Sequence, residues 1–186
     1  MRALIVTNMY PSPERPALGS FVADQVAALR RTGDADIEVF GFAPGSYARA
    51  AQTLWARHRR DRFEIVHAHF GLTQWPALAV RARARAVTLH GTDLAHPRSR
   101  AVTLAGLRAN DLVAVVSEPM AAAVPPWAMR GRPAVLPAGV DMHRFGAIDR
   151  AQARRRLGLP GEGPYLLFPA DPQRREKRYD RALAAA

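Results

Sequence analysis

The sequence predicts an α/β protein, a doubly wound parallel sheet, on three observations. Short apolar stretches rich in Val, Ile and Leu recur along the chain. Each is followed by a segment whose apolar residues fall at helical spacing, and the joints between them carry Gly, Pro, Ser or Asp. At 186 residues and 48% hydrophobic composition, the chain holds one generous domain, or one domain and the start of another, with a sizeable core.

Arg2–Thr7 (RALIVT) reads as a buried first strand. Residues 8–19 form a loop holding Pro11, Pro13 and Pro16 and ending at Gly19. Ser20 is placed as the cap of a helix in which Phe21, Val22, Val26 and Leu29 share helical spacing, and Gly33 closes it. A strand, a loop, a glycine and a helix start make a ready anion site, and Gly19 removes the side chain that would keep a phosphate or sugar away. The dinucleotide fingerprint GxGxxG is absent from this turn, which counts against NAD or FAD.

Asp36–Phe42 (DIEVFGF) is the second strand and Ser46–Arg62 a basic helix, with Leu54 and Trp55 beside Arg57, Arg59, Arg60 and Arg62. That helix suits either an anionic membrane surface or an ordinary outer position with a solvated arginine face. Phe63–His69 (FEIVHAH) is the third strand. His67 and His69 share one of its faces, a spacing open to a metal or to hydrogen bonding; no third ligand is evident nearby, which favours hydrogen bonding. Thr73–Arg85 is read as helical, and Ala86–His90 (AVTLH) as the fourth strand.

His90-Gly91-Thr92-Asp93 ends that strand in a loop, where open α/β sheets hold their ligands. His90 reads either as a functional imidazole or as a satisfied rim residue, with Thr92 or Asp93 capping the next helix. Ser99–Ala109 is a helix and Asp111–Val116 (DLVAVV) the fifth strand. Ser117 and Pro119 start a further helix, and Pro133–Leu136 (PAVL) is a sixth strand running into Pro137–Asp141. After Phe145 the texture changes. Asp149–Leu157 is a short polar helix, residues 158–164 are a Gly/Pro linker, Tyr165–Phe168 (YLLF) is a strand, and Glu176–Ala186 opens a helix. The expected organisation is a domain over residues 1–145, a linker over 146–164 and the start of a second α/β domain over 165–186.

Composition removes several chemistries. The chain has no cysteine, which excludes disulfides, thiolate zinc sites and cysteine nucleophiles. Its six histidines form no HExxH pattern. No apolar run approaches the roughly 20 residues that span a bilayer. The opening apolar run stops at Thr7 and Asn8, too short for a signal peptide, so a cytoplasmic setting is expected. The net charge of +11 points to anionic partners, yet Lys177 is the only lysine and the arginines are scattered along the whole chain. Without interleaved aromatics or one basic recognition helix, no nucleic-acid partner is expected.

Several segments then fall in a recognisable order: the first strand with its Pro-rich loop and Gly19, FEIVHAHFG, VTLHGTD, DLVAVVSEPM, VLPAGVDMHRF and LFPADPQRREKRYDRALAA. In this order the chain resembles the N-terminal part of a GT-B-fold glycosyltransferase of family 4, the retaining nucleotide-sugar transferases. The resemblance implies two Rossmann-like domains across a cleft, one mainly for the acceptor and one mainly for the donor. It implies His90 as the catalytic residue beside the transferred sugar, and Gly19, Asp93, Glu118, Arg174 and Lys177 as donor- or acceptor-binding positions. Gly139 and Asp141 match the turn between the domains.

By the same resemblance the nucleotide-sugar is a substrate, no cofactor or metal is expected, and the acceptor is a glycan, a lipid-linked or a small molecule, with peripheral contact at the inner face of a membrane compatible. The loop PADPQRREK departs from the family's Gly-Arg, so Arg174 or Arg175 would supply that charge. The family's pair of donor-site glutamates has no counterpart in this sequence, so a fragment inactive alone is expected. Two other readings use the same residues: a sugar-nucleotide epimerase of the same fold, and a basic module that binds without catalysis.

Overall fold

The structure is a computed structural model describing residues 1–142, 144–173 and 175–186, Glu176 by its backbone. It divides after Met142 into two units. In the first, elements alternate as β1 (Arg2–Thr7), α1 (Ser20–Thr32), β2 (Asp36–Gly41), α2 (Tyr47–His58), β3 (Arg62–His69), α3 (Gln74–Ala77) and β4 (Arg81–Leu89). They continue as α4 (Thr92–Ala95), α5 (Pro97–Gly106), β5 (Leu112–Val115), α6 (Glu118–Ala123) and β6 (Ala134–Val135). All six strands are parallel, in the order β2-β1-β3-β4-β5-β6. The chain therefore winds one way from β1 to β2 and the other way from β3 onward. The doubly wound sheet is the one the sequence predicts.

β1 feeds two cores. Ala3 and Ile5 pack with Val22 and Val26 of α1 and Ile37 of β2. Leu4 and Val6 point the other way, into a larger cluster holding Leu54 of α2, Leu104 of α5 and Val113 of β5. Alternation along a strand buried on both faces is what sends neighbours to opposite sides.

Two expectations are overturned. Residues 73–85 do not form one helix: α3 lasts a single turn and β4 begins at Arg81, pairing with β3 from Arg62↔Arg81 to His69↔Thr88. Ala and Arg are strong helix formers, which misleads a propensity reading, but RARAR repeats every second residue and a free edge of β3 is available to it. Arg85 fixes the change of direction, its guanidinium donating to the carbonyls of Ala77 (2.9 Å) and Val80 at the end of α3. Tyr165–Phe168 is not a strand either. Its composition suits one, but ladder hydrogen bonds need a neighbouring strand.

The caps also differ from expectation. Ser20 is the first residue of α1, and the cap is Gly19 in the left-handed region at φ 66°. The second unit carries α7 (Arg150–Leu157), capped by Asp149 accepting from the Gln152 amide at 2.9 Å, and α8 (Tyr179–Ala184). The expected helix from Glu176 is split: residues 175–177 form a 3-10 turn before α8.

Candidate functional site

In an open parallel sheet, loops diverge where the winding reverses and leave a crevice at the carboxyl ends of the strands. Here that point lies between β1 and β3. Three loops meet there: residues 8–19 after β1, residues 70–73 after β3 and residues 90–91 after β4.

One buried carboxylate ties two of these loops together. Asp93 is fully buried, and its oxygens accept from the backbone N–H groups of His90 (3.0 Å), Gly91 (2.7 Å) and Gly71 (3.1 Å). Asp93 thus lies beneath the site surface, holding backbone with both oxygens. Gly71 is packed so closely that a Cβ there would lie 2.3 Å from the Thr103 side chain. Phe70 beside it adopts φ 84°, a left-handed conformation unusual for a bulky residue, held by its N–H donating to Thr88 O (2.9 Å).

Above this frame stand three imidazoles. His67 and His69 lie on one face of β3 as their spacing predicts, ring centroids 4.3 Å apart. His67 Nε2 is 2.8 Å from Thr88 Oγ1, and His69 Nδ1 is 3.1 Å from His90 Nε2. The third imidazole that the sequence did not reveal near this pair is His90, 21 residues further on. Its nitrogen faces another nitrogen rather than a shared point, and among the described residues no group of three or more His, Asp or Glu is arranged to hold a metal ion. Phe21, read from sequence as a helix core position, packs against the core under α1 and also lays its ring on His90 with centroids 4.8 Å apart.

A cavity of about 220 Å³ opens over this cluster, lined by Phe21, Thr88, His90, Pro137, Gly139 and Asp141 among others. The structure therefore brings His90, Gly139 and Asp141 to one hollow. Gly19 stands at the start of the helix that forms one wall, pressed against Met9. Glu118 does not join them: it is exposed in the first turn of α6 and lines a separate hollow with Val135 and Met129. Lys177 is exposed in the second unit, and Arg174 lies outside the described residues. The sequence assigns Phe21 to a helix and Thr88 to a strand, but neither to the site. For Phe21 the available signal was its place two residues after Gly19.

Burial sets the protonation of the cluster. It holds His67 down from 6.5 to about 4, helped by charge repulsion from His90. His69 is pushed to about 2 by burial first and then by His67 and His90. Burial also lowers His90, against the opposing pull of Asp93. The values for His67 and His69 both lie below that of the unfolded chain, so the unfolded state binds more protons as pH falls beneath about 6.5. Stability is complete above that pH and is lost on acidification toward about 4 for His67 and about 2 for His69. The slope is at most about 1.4 kcal/mol per pH unit for each histidine. Urea midpoints should drop between about pH 7 and about pH 5, before carboxylates titrate; equal midpoints would refute the buried, neutral assignment.

The model of Glycosyltransferase Family 4 matches residues 4–144. A D-inositol 3-phosphate glycosyltransferase of Streptomyces avermitilis is 30% identical over 141 residues, covering 66% of this chain and 30% of that protein. One of Geodermatophilus obscurus is 29% identical over 130 residues, covering 61% and 29%. The chain thus spans about 30% of the length of the curated relatives it matches. The sucrose-phosphate synthase of Thermosynechococcus elongatus shares the fold at a TM-score of 0.69 and 16% identity, over 88% of this chain and 53% of that one. The sheet order, the loops gathered at its reversal and a family match over most of the chain converge: this chain belongs to Glycosyltransferase Family 4.

Proposed function

We propose that this chain supplies the acceptor-side part of a retaining GT-B glycosyltransferase, which moves a sugar from a nucleotide-sugar donor to an acceptor. The observation that carries the reading is the hollow at the sheet's reversal, with His90 in its wall and Gly139 and Asp141 contributed by the turn after β6. In this reading His90 hydrogen-bonds the sugar, and the Phe21 ring keeps the imidazole in place. Asp93 acts through backbone, fixing His90 and Gly91. Breaking the donor's glycosidic bond builds negative charge on the leaving phosphate, and Lys177 is the cation assigned to it. No separate cofactor is needed.

The relatives' named acceptor, D-inositol 3-phosphate, makes a polyol phosphate the first compound to test. Saturation-transfer NMR of the chain with inositol phosphates and a panel of nucleotide-sugars should show binding, and transfer of labelled sugar by the gene product carrying this chain should follow. His90→Ala is expected to weaken ligand binding about tenfold, the worth of one hydrogen bond of about 1.4 kcal/mol. Absence of binding by every compound, or unchanged affinity in His90→Ala, would sink the proposal.

A further inference from the structure

The His69–His90 contact has a geometry more specific than ring stacking. The nitrogens are 3.1 Å apart, the centroids 5.3 Å apart and the planes inclined by only 17°. An imidazole nitrogen lies roughly 1.1 Å from its ring centre, so those distances place the two rings almost in one plane, edge to edge, with the N···N line through both centres. That is a linear N–H···N hydrogen bond, and it holds one proton. Only one ring donates.

His69 decides which. It is 1% exposed, and its Nε2 is buried with no hydrogen-bond partner among the described residues. A proton on Nε2 would be an orphaned buried donor, which proteins avoid more strictly than an unfilled acceptor. The proton of His69 therefore sits on Nδ1.

We infer that His69 is a positioning residue that fixes the tautomer of His90: His69 Nδ1–H donates to His90 Nε2, His90 carries its own proton on Nδ1, and the cavity meets a neutral donor. The inference rests on the glycosyltransferase reading for its ligand, an oxygen acceptor on a bound sugar. Asp93 does not compete for the ring, because its oxygens are taken by the backbone N–H groups of His90, Gly91 and Gly71. With Nε2 accepting from His69 and Nδ1 already protonated, His90 has no free lone pair and does not serve as a base. Adding a proton to His90 Nε2 would drive the His69 proton onto its buried, partnerless Nε2.

Long-range ¹H–¹⁵N correlation of the histidine-labelled 186-residue chain above neutral pH reads both tautomers directly, with no substrate present. Signals are assigned by their loss in His90→Gln and His69→Phe. The expected wild-type result is Nδ1–H, bare Nε2 for both His69 and His90. In His69→Phe, His90 should lose its fixed tautomer and show averaged nitrogen shifts, whereas His67→Phe should leave its pattern intact. A wild-type His90 protonated on Nε2, or an unchanged His90 pattern in a folded His69→Phe, overturns the inference. The wild-type spectrum decides the tautomer even if that variant does not fold. Failure of the glycosyltransferase reading would appear separately, as absent ligand binding with the tautomers as stated.

Discussion

Replacing Gly19 by alanine is expected to be among the most damaging single-methyl changes in this protein, costing about 2–5 kcal/mol. Two effects add. The residue sits at φ 66°, where an L side chain is strained, and a Cβ there would lie 2.2 Å from the carbonyl oxygen of Met9. Backbone cannot swing aside as a flexible side-chain tip can, so relief requires moving the loop after β1 away from α1. Gly33 provides the control at the other end of the same helix: φ is 75°, but among the described residues nothing lies within 4 Å of the place a methyl would take. Gly33→Ala should therefore show the conformational part alone, about 1–2 kcal/mol. In thermal unfolding, at roughly 2–4 °C per kcal/mol for a chain of this size, the two variants should separate clearly. Equal melting temperatures would refute the close approach of Gly19 to Met9.

The second large effect is expected at Asp93. Truncation to alanine removes the acceptor for the N–H groups of Gly71, His90 and Gly91, all buried or half-buried. Each unpaired donor costs about 1–3 kcal/mol if no water reaches it, so a loss of about 3–5 kcal/mol is expected. Asp93→Asn keeps one carbonyl oxygen but points an NH₂ at backbone donors, and should fall between alanine and wild type. Amide exchange adds a local reading: Gly71, His90 and Gly91 should be protected in the wild type and open together in Asp93→Ala. If the urea midpoint and those three amides are all unchanged, Asp93 does not hold the two loops.

Much of this was legible in the sequence because it is local. β1, β2, β3 and β5 announce themselves as apolar runs, and the strand–helix alternation fixes the sheet type. Gly19 and His90 could be singled out because each interrupts a pattern. What escaped depends on residues far apart in the chain. β4 starts at Arg81 because β3 offers it an edge, which local helix propensity cannot register. Tyr165–Phe168 has strand composition and no ladder, the converse case. Asp93 looks like a ligand-facing or capping acid until burial shows both oxygens turned to backbone. The pairing of His69, at the end of β3, with His90, just past the end of β4, links residues 21 apart, and only the adjacency of those strands in the sheet brings the nitrogens together.

The two-sided burial of β1 has a consequence for how this fold tolerates change in length. Ala3 and Ile5 fill the space under α1, while Leu4 and Val6 fill the opposite one. Inserting a single residue between Val6 and Thr7, where Thr7 is anchored by its pairing with Gly41 and His69, leaves the strand's composition nearly untouched, yet exchanges the contents of the two cores if the pairing with β2 and β3 is kept. The smaller set would land where Leu4 was needed and the larger where Ala3 just fits. A two-residue shift restores the facing. Insertions of even length between Val6 and Thr7 should be survivable where odd ones are not, a parity rule written into the chain by its first seven residues.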